Sequence, residues 1–294
     1  MNVFSKLDPD IVTFHILPHL DGKTLIILSS VSSQFYNLIW KNKNSDLWRN
    51  ICISTWPSLL TNFPDPIFHS RIISVWPDYR SFFLDAFPSI HPPLINNPPP
   101  PLPPVACIFY TVDIFLNGGE GEQQPLYSLY TLDAIETHEY IPHPLIGPYL
   151  FKCYLNHDRG MMKFFKVKKE GCEEYLKHNL TFSCIAIDPK VTKRAGSLFT
   201  GYKAVSVEPV TLGVMVVFES VLHAPSGLSN FYTEMIKCRV EVTCSWEGGR
   251  EDKCYVRIIY FTMKDMNEIP LVNRHGAAVI LNAIQNGERR GRTT

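Results

Sequence analysis

A proline-rich segment divides this chain of 294 residues into two stretches of different character. Residues 92–104 contain eight prolines in thirteen positions. Because proline lacks a backbone N–H and fixes φ, the segment favours an extended, semi-rigid conformation over a helix or a central strand. The sequence before it has helical periodicity, and the sequence after it alternates with period two. We therefore expect separate folded units joined by residues 92–104, which serve as a spacer in preference to a docking site for an SH3-like or WW-like partner.

Residues 7–48 have the pattern of several short amphipathic helices. Asp21–Gly22 is expected to end the first helix, with the glycine as a left-handed stop. Val31, Phe35 and Leu38 follow at i, i+4 and i+7, the spacing of one helical face. So short a run cannot bury all of its apolar faces within itself, and we expect a partner chain to cover some of them. A helical cap on an ordinary domain is the alternative.

The order of residues in this run resembles the F-box, the adaptor-docking module of Skp–cullin–F-box ubiquitin ligases. That pattern begins Leu-Pro-x-Asp/Glu, passes an Ile-Leu pair and ends at Leu-Trp; the matching residues here are Leu7, Pro9, Asp10, Ile16, Leu17, Leu20, Leu25, Val31, Phe35, Leu38, Leu47 and Trp48. Phe35 stands where Trp is common, Ser32 and Ser33 replace Cys-Lys, and Pro18 falls inside the first helix. The resemblance implies binding to a Skp-type adaptor, and through it to a cullin and a RING subunit.

Ten apolar residues are the candidates for adaptor binding: Leu7, Pro9, Ile16, Leu17, Leu20, Leu25, Val31, Phe35, Leu38 and Trp48. Some of them are expected to hold the segment together instead, and the sequence alone does not separate the two roles. On this reading residues 1–50 form the F-box.

Residues 51–91 carry a dense set of aromatic side chains among several prolines. Short helices are expected over residues 67–75 and 78–86. Aromatic side chains at this density can stack on nucleic acid bases, but no basic patch is interleaved with them, so core packing is the favoured use. We interpret residues 51–91 as a helical, aromatic-rich extension of the F-box.

Residues 105–294 alternate apolar and polar side chains over several stretches. The clearest is 236–246, followed by a turn and a return strand from 254 to 263. An amphipathic helix is expected over 276–286, capped by Gly287, and the basic residues after it are expected to be solvated. The fold class is therefore α+β: the helical F-box module, then a mainly antiparallel β domain, either a sandwich or a curled sheet, with a C-terminal helix.

Strand 236–246 is expected to bury its even-numbered face and to expose Lys237, Arg239, Glu241 and Thr243. Charged residues in such a row form a solvated face or, in the second reading, a docking surface for a target protein. The solvated face is the favoured use, because charged residues in such a row are most often solvated.

Four short stretches outside the F-box also resemble a family of plant F-box proteins: 54–58, 79–83, 112–115 and 187–190. Some plant F-box proteins carry a phloem-lectin β-sandwich that binds glycans. The C-terminal half has a similar strand rhythm, but no sugar-site motif matches. The resemblance implies that the β domain recognises a target protein.

Composition excludes several other classes of function. The formal net charge is zero, so no general attraction to nucleic acid or to a membrane is expected. The eight cysteines form no C-x-x-C pair, which indicates a reduced protein of the cytoplasm and/or nucleus without a disulfide framework or zinc site. Asp8 and Asp10, with no cleavable apolar segment after them, argue against a signal peptide.

The sequence contains no recognisable catalytic, cofactor-binding or metal-binding motif. His138 and His143 resemble the histidine pair of a zinc-protease helix, but they are five positions apart instead of four, and Pro142 would break the helix. His15 and His19 have helical spacing, but no third ligand is suggested. We expect a non-catalytic substrate receptor; the alternatives are a lectin-like or small-molecule-sensing F-box protein and a non-degradative adaptor-binding protein.

Overall fold

The computed structural model describes residues 8–41, 45–61, 75–87, 89–91, 108–117, 123–132, 149–154, 164–189, 192–247 and 252–290. Contacts divide the chain into a helical unit, residues 1–84, and a β unit, residues 85–294. The predicted α+β class, with helices first and mainly antiparallel sheets after them, is confirmed. Three predictions lie outside the described residues: the spacer over 92–104, most of the helix over 67–75, and the motif from His138 to His143.

The helices described in the helical unit are α1 (Pro9–Ile11), α2 (Gly22–Val31), α3 (Ser33–Tyr36), α4 (Ser45–Thr55), α5 (Ser58–Thr61) and α6 (Tyr79–Ala86). Two π-helical turns, Val12–Ile16 and Asn37–Lys41, continue α1 and α3. A 3₁₀ turn, Leu17–His19, follows the first of them and contains Pro18 near its start, where a missing backbone N–H costs little. The division between the units falls within α6, after Leu84.

Aspartate side chains cap the two helical segments that open the unit. The Asp8 carboxylate accepts a hydrogen bond from the backbone N–H of Asp10 at 2.9 Å, and Pro9 occupies the first turn of α1. The Asp21 carboxylate accepts from the backbone N–H of Thr24 at 2.7 Å at the start of α2. These bonds satisfy backbone donors that a helix leaves without partners in its first turn.

The prediction that Gly22 is a left-handed helix stop is wrong. Gly22 is the first residue of α2, it is buried, and its φ is not positive. A glycine is needed there for a packing reason, because the ring of Phe83 occupies the space that a Cβ at position 22 would take. The first helical segment ends instead in the 3₁₀ turn at Leu17–His19.

The described part of the β unit contains the strands β1 (Ser89–His91), β2 (Phe109–Asn117), β3 (Gln123–Leu132), β4 (Tyr149–Tyr154), β5 (Phe164–Lys166), β6 (Leu180–Asp188), β7 (Arg194–Lys203), β8 (Ser206–Val210), β9 (Gly213–His223), β10 (Met235–Trp246), β11 (Lys253–Asp265) and β12 (Glu288–Arg290). The first sheet has the order β12-β1-β7-β6-β2-β3. The second has the order β4-β11-β10-β9-β8, and β5 also pairs with β11. The pairings are antiparallel except that of β1 with β7.

The two sheets pack face to face, so the sandwich rather than the curled sheet is the correct prediction. Phe182 on β6 stacks on Phe218 of β9 with ring centroids 5.2 Å apart. Phe261 on β11 meets Tyr110 of β2 edge-on at 6.0 Å and Phe199 of β7 at 6.2 Å. These rings lie in one continuous core of buried side chains drawn from both sheets.

Two helices accompany the described strands, α7 (Cys172–Asn179) and α8 (Asn273–Asn286). The predicted C-terminal helix is confirmed, but it is buried on all sides over residues 276–284 rather than amphipathic. It packs against β1, β6 and β7 of the first sheet and against β4 and β9 of the second. Gly287 does not form a left-handed cap, because its φ of −64° leads the chain directly into β12.

The boundary of the β unit differs from the prediction. Ser89–His91, expected in the aromatic-rich extension, forms β1 and pairs with β7 and β12. Arg289 and Arg290, expected in a solvated basic tail, lie in β12. The buried side chain of Ile90 on β1 packs against Gly196 and Gly287, where it occupies the space that a Cβ would need. This packing explains why β1 is part of the β unit.

Candidate functional site

The structure sorts the predicted adaptor-binding residues by burial. Leu7 lies outside the described residues. Leu17, Leu25, Phe35 and Trp48 are buried in the helical unit; Ile16, Leu20 and Leu38 are half-buried; Pro9 and Val31 are exposed. The buried side chains form the core beneath the surface, and the exposed and half-buried ones are accessible to a partner. Adaptor binding by any of them stays a prediction.

Aromatic side chains hold the F-box-like segment, residues 7–48, to the residues that follow it. The indole of Trp48 stacks on Trp40 at 5.0 Å, lies 5.3 Å from the ring of Phe83 and donates a hydrogen bond to the Ile39 carbonyl at 3.3 Å. The guanidinium of Arg80 donates to the Trp40 carbonyl at 2.6 Å. The aromatic residues of the extension described here therefore pack into a core, as predicted.

Large apolar side chains on the surface of the F-box-like segment were missed by the sequence analysis. Ile11, Phe14, Ile27 and Tyr36 are exposed together with Val31, and the largest exposed fractions are 70% for Val31 and 61% for Phe14. Ile27 and Val31 are four residues apart on α2, so they are neighbours on one helical face. Exposed apolar side chains that lie next to one another, as Ile27 and Val31 do, are typical of a protein-interaction surface. Their helical spacing is the signal that could have identified them.

The core below these side chains is complete without them. Leu17 and Leu25 have no exposed surface, and Phe35 and Trp48 have little. An exposed side chain such as Val31 therefore adds little to the packing of the unit. Its contact with water is a cost that a bound partner would remove.

The even-numbered face of β10 is buried, as predicted: Ile236, Cys238, Val240, Val242 and Cys244 have no exposed surface. The prediction that the opposite face is exposed is wrong in degree, because Lys237, Arg239, Glu241 and Thr243 are half-buried. The cause is the central position of β10, which has β9 on one side and β11 on the other.

Ion pairs cover the outer face of β10. Arg239 contacts the carboxylates of Glu219 on β9 at 3.0 Å and Glu241 on its own strand at 2.8 Å. The carboxylate of Glu268 lies 2.6 Å from the Lys237 ammonium and 3.2 Å from that of Lys264. Hydrogen bonds from these two lysines lower the pKa of Glu268 below the usual 4.5. The ion pairs of Glu268 therefore stabilise the folded protein fully at pH values above 4.5. This stabilisation is lost as the pH falls through the lowered pKa of Glu268.

Six cysteines of the described residues behave as small core residues. Cys52, Cys172, Cys184, Cys238, Cys244 and Cys254 are buried and reduced. Burial raises the pKa of the Cys238 thiol to about 12 and also raises the pKa of the Cys184 thiol. A thiol must ionise to act as a nucleophile, so neither residue has the properties of a reactive cysteine.

The described residues contain neither a candidate metal site nor a helix that could span a membrane. Among the residues that the structure describes, no three His, Cys, Asp or Glu side chains come together as a metal site. A spanning helix needs close to 20 apolar residues, and no helix in the described part of the chain meets this requirement.

Comparisons with known proteins point to one family. A probable F-box protein of Arabidopsis thaliana is 26% identical over 299 aligned positions, which cover 98% of this chain and 77% of that protein. A second F-box protein of Arabidopsis thaliana is 39% identical over 84 residues, 29% of this chain and 23% of that protein. No family model matches the chain. No solved structure matches it.

Proposed function

We propose that this chain is the substrate-receptor subunit of a Skp–cullin–F-box ubiquitin ligase, because a probable F-box protein of Arabidopsis thaliana is 26% identical to it over 98% of its length. In this role the helical unit binds a Skp-type adaptor, and through it a cullin and a RING subunit. The β unit binds a target protein that is still to be identified. The complex would work in the cytoplasm and/or the nucleus.

The observation that carries this proposal is the exposed apolar surface of the helical unit. Ile11, Phe14, Ile27, Val31 and Tyr36 stand above a core that is already packed. Ile16, Leu20 and Leu38 of the same segment are half-buried and so remain partly accessible. A partner with an apolar groove would gain from covering these side chains, because burial of apolar area drives most protein association.

The proposed role needs no chemistry from this chain. A receptor that holds a target near a charged conjugating enzyme raises the effective concentration of the reacting groups, and the transfer itself is carried out by other subunits. The buried, high-pKa thiols of the β unit are consistent with this role.

Adaptor binding by the full chain tests the proposal. We expect Ile27→Asp combined with Val31→Asp to weaken binding of a purified Skp-type adaptor by about 30-fold or more, since charges would replace apolar anchors in the interface. Leu84→Asp is the matched control, because Leu84 is also an exposed apolar side chain of the helical unit, at 42%, but lies outside the F-box-like segment.

Two outcomes decide this test. Weak binding by the double variant with wild-type binding by Leu84→Asp supports the assignment. Equal adaptor affinity for the wild type and the double variant contradicts it. Because all three positions are exposed, the variants should keep the unfolding midpoint of the parent chain within a few degrees.

A purification under proteasome inhibition tests the receptor role separately. Proteins that carry ubiquitin and co-purify with the wild type, but lose ubiquitin with the adaptor-defective double variant, are the expected targets. A chain that binds the adaptor while no co-purifying protein depends on it for ubiquitin would be a non-degradative adaptor-binding protein instead.

A further inference from the structure

A cavity of about 640 Å³ opens at one end of the second sheet of the β unit. Its wall is formed by the turn between β8 and β9, the end of β10, part of β11 and the first turn of α7 with the residues before it. Strand register brings these parts together, because Ser245 pairs with both Gly213 and Tyr255. The backbone N–H of Trp246 also donates a hydrogen bond to the Leu212 carbonyl at 3.3 Å. Cavities of roughly 300–1,000 Å³ hold small organic molecules.

One part of the lining is apolar and aromatic. Val210 and Leu212 at the β8–β9 turn are exposed, Leu212 at 63%. Trp246 and Tyr255 are half-buried in the same wall. Aromatic and aliphatic side chains in such a wall can cover the apolar body of a ligand, and each ring offers a flat face for stacking.

The charged part of the lining favours an anion. Among the described lining residues the charged side chains are Lys169, Arg257 and Glu173, two cations and one acid. Arg257 is exposed and has no ion pair or hydrogen bond with any described side chain. A guanidinium presents paired N–H donors that match a carboxylate or a similar oxyanion, which makes Arg257 the best placed group to bind one.

We propose that this cavity is a binding site for a small organic anion with an apolar or aromatic body. The body contacts Leu212, Trp246 and Tyr255, and the anionic group pairs with Arg257. The described lining residues belong to the β unit, so binding at this site can be tested separately from adaptor binding by the helical unit.

Two fluorescent probes test the site in the full chain: anilinonaphthalene sulfonate, an aromatic anion, and phenylnaphthylamine, its neutral relative. We expect the anion to bind with energy transfer from Trp246, and Arg257→Gln to weaken its binding about tenfold through loss of the charged hydrogen bonds. The neutral probe should be affected less than twofold by the same substitution. Leu212→Ser should weaken both probes.

Matched controls separate this site from general apolar binding. Arg274→Gln removes an exposed cation outside the lining, and Phe231→Ser removes an apolar side chain that is 64% exposed, close to the value for Leu212. Near wild-type binding by both controls, with the losses described above, supports the proposal. Equal effects of Arg257→Gln and Arg274→Gln on the anion, or of Leu212→Ser and Phe231→Ser on both probes, would overturn it.

Discussion

Two apolar residues of the F-box-like segment that the helical spacing placed on one face differ in burial in the structure. Phe35 is buried and Val31, four positions earlier, is 70% exposed. The heptad-like spacing predicted that both face one side, and this is right for a single straight helix. The chain breaks between α2 and α3 at Ser32, whose extended φ and ψ rotate the two residues apart. Helical spacing identified the apolar set, but a break of one residue decided which members are buried.

Gly22 provides a test of packing at a single residue, because two physical effects predict opposite changes in the free energy of unfolding on substitution by alanine. Replacing a helical glycine with alanine normally stabilises a helix by about 1 kcal/mol. Here the new methyl group would collide with the ring of Phe83, so we expect Gly22→Ala to lower the free energy of unfolding of the helical unit by about 1–3 kcal/mol. Denaturant unfolding followed by tryptophan fluorescence gives this number, and a more stable Gly22→Ala chain would show that the contact is wrong.

Secondary-structure elements were predictable where they were long. β10 is twelve residues long and its alternation of half-buried and buried side chains holds from Met235 to Cys244, so both its existence and its buried face follow from the sequence. β1 and β12 have three residues each, too few to show any period. They exist because Ser89–His91 meets a partner strand about 200 positions later in the chain, and local pattern carries no information about such a pairing.

The role of β1 can be measured in the full chain. Ile90 is 4% exposed and belongs to the core of the β unit. We expect Ile90→Ala to lower the free energy of unfolding of that unit by about 2–4 kcal/mol, from lost burial and the cavity left behind. Ile269→Ala, at a position 47% exposed in the same unit, should change it by less than about 0.5 kcal/mol. Equal values for the two variants would place residues 89–91 outside the core.

At the scale of the whole molecule, the order of units was predictable and their internal arrangement was not. The change from helical to period-two pattern placed the helices first and the sheets after them. The strand order β12-β1-β7-β6-β2-β3 joins segments from the two ends of the β unit, and the sequence has no local signal for that order. The cavity beside Trp246 likewise depends on the pairing of strands, which is why no sequence motif predicted it.

Hydrogen exchange of the full chain with and without a purified Skp-type adaptor tests the central claim most directly. Amides buried by a partner exchange more slowly, and stable core strands are already protected. We predict that the adaptor slows exchange within residues 9–36, the segment of α1 to α3, and leaves β10 and β11 unchanged. Unchanged exchange over residues 9–36, or new protection confined to the β unit, would contradict adaptor binding by the F-box-like segment.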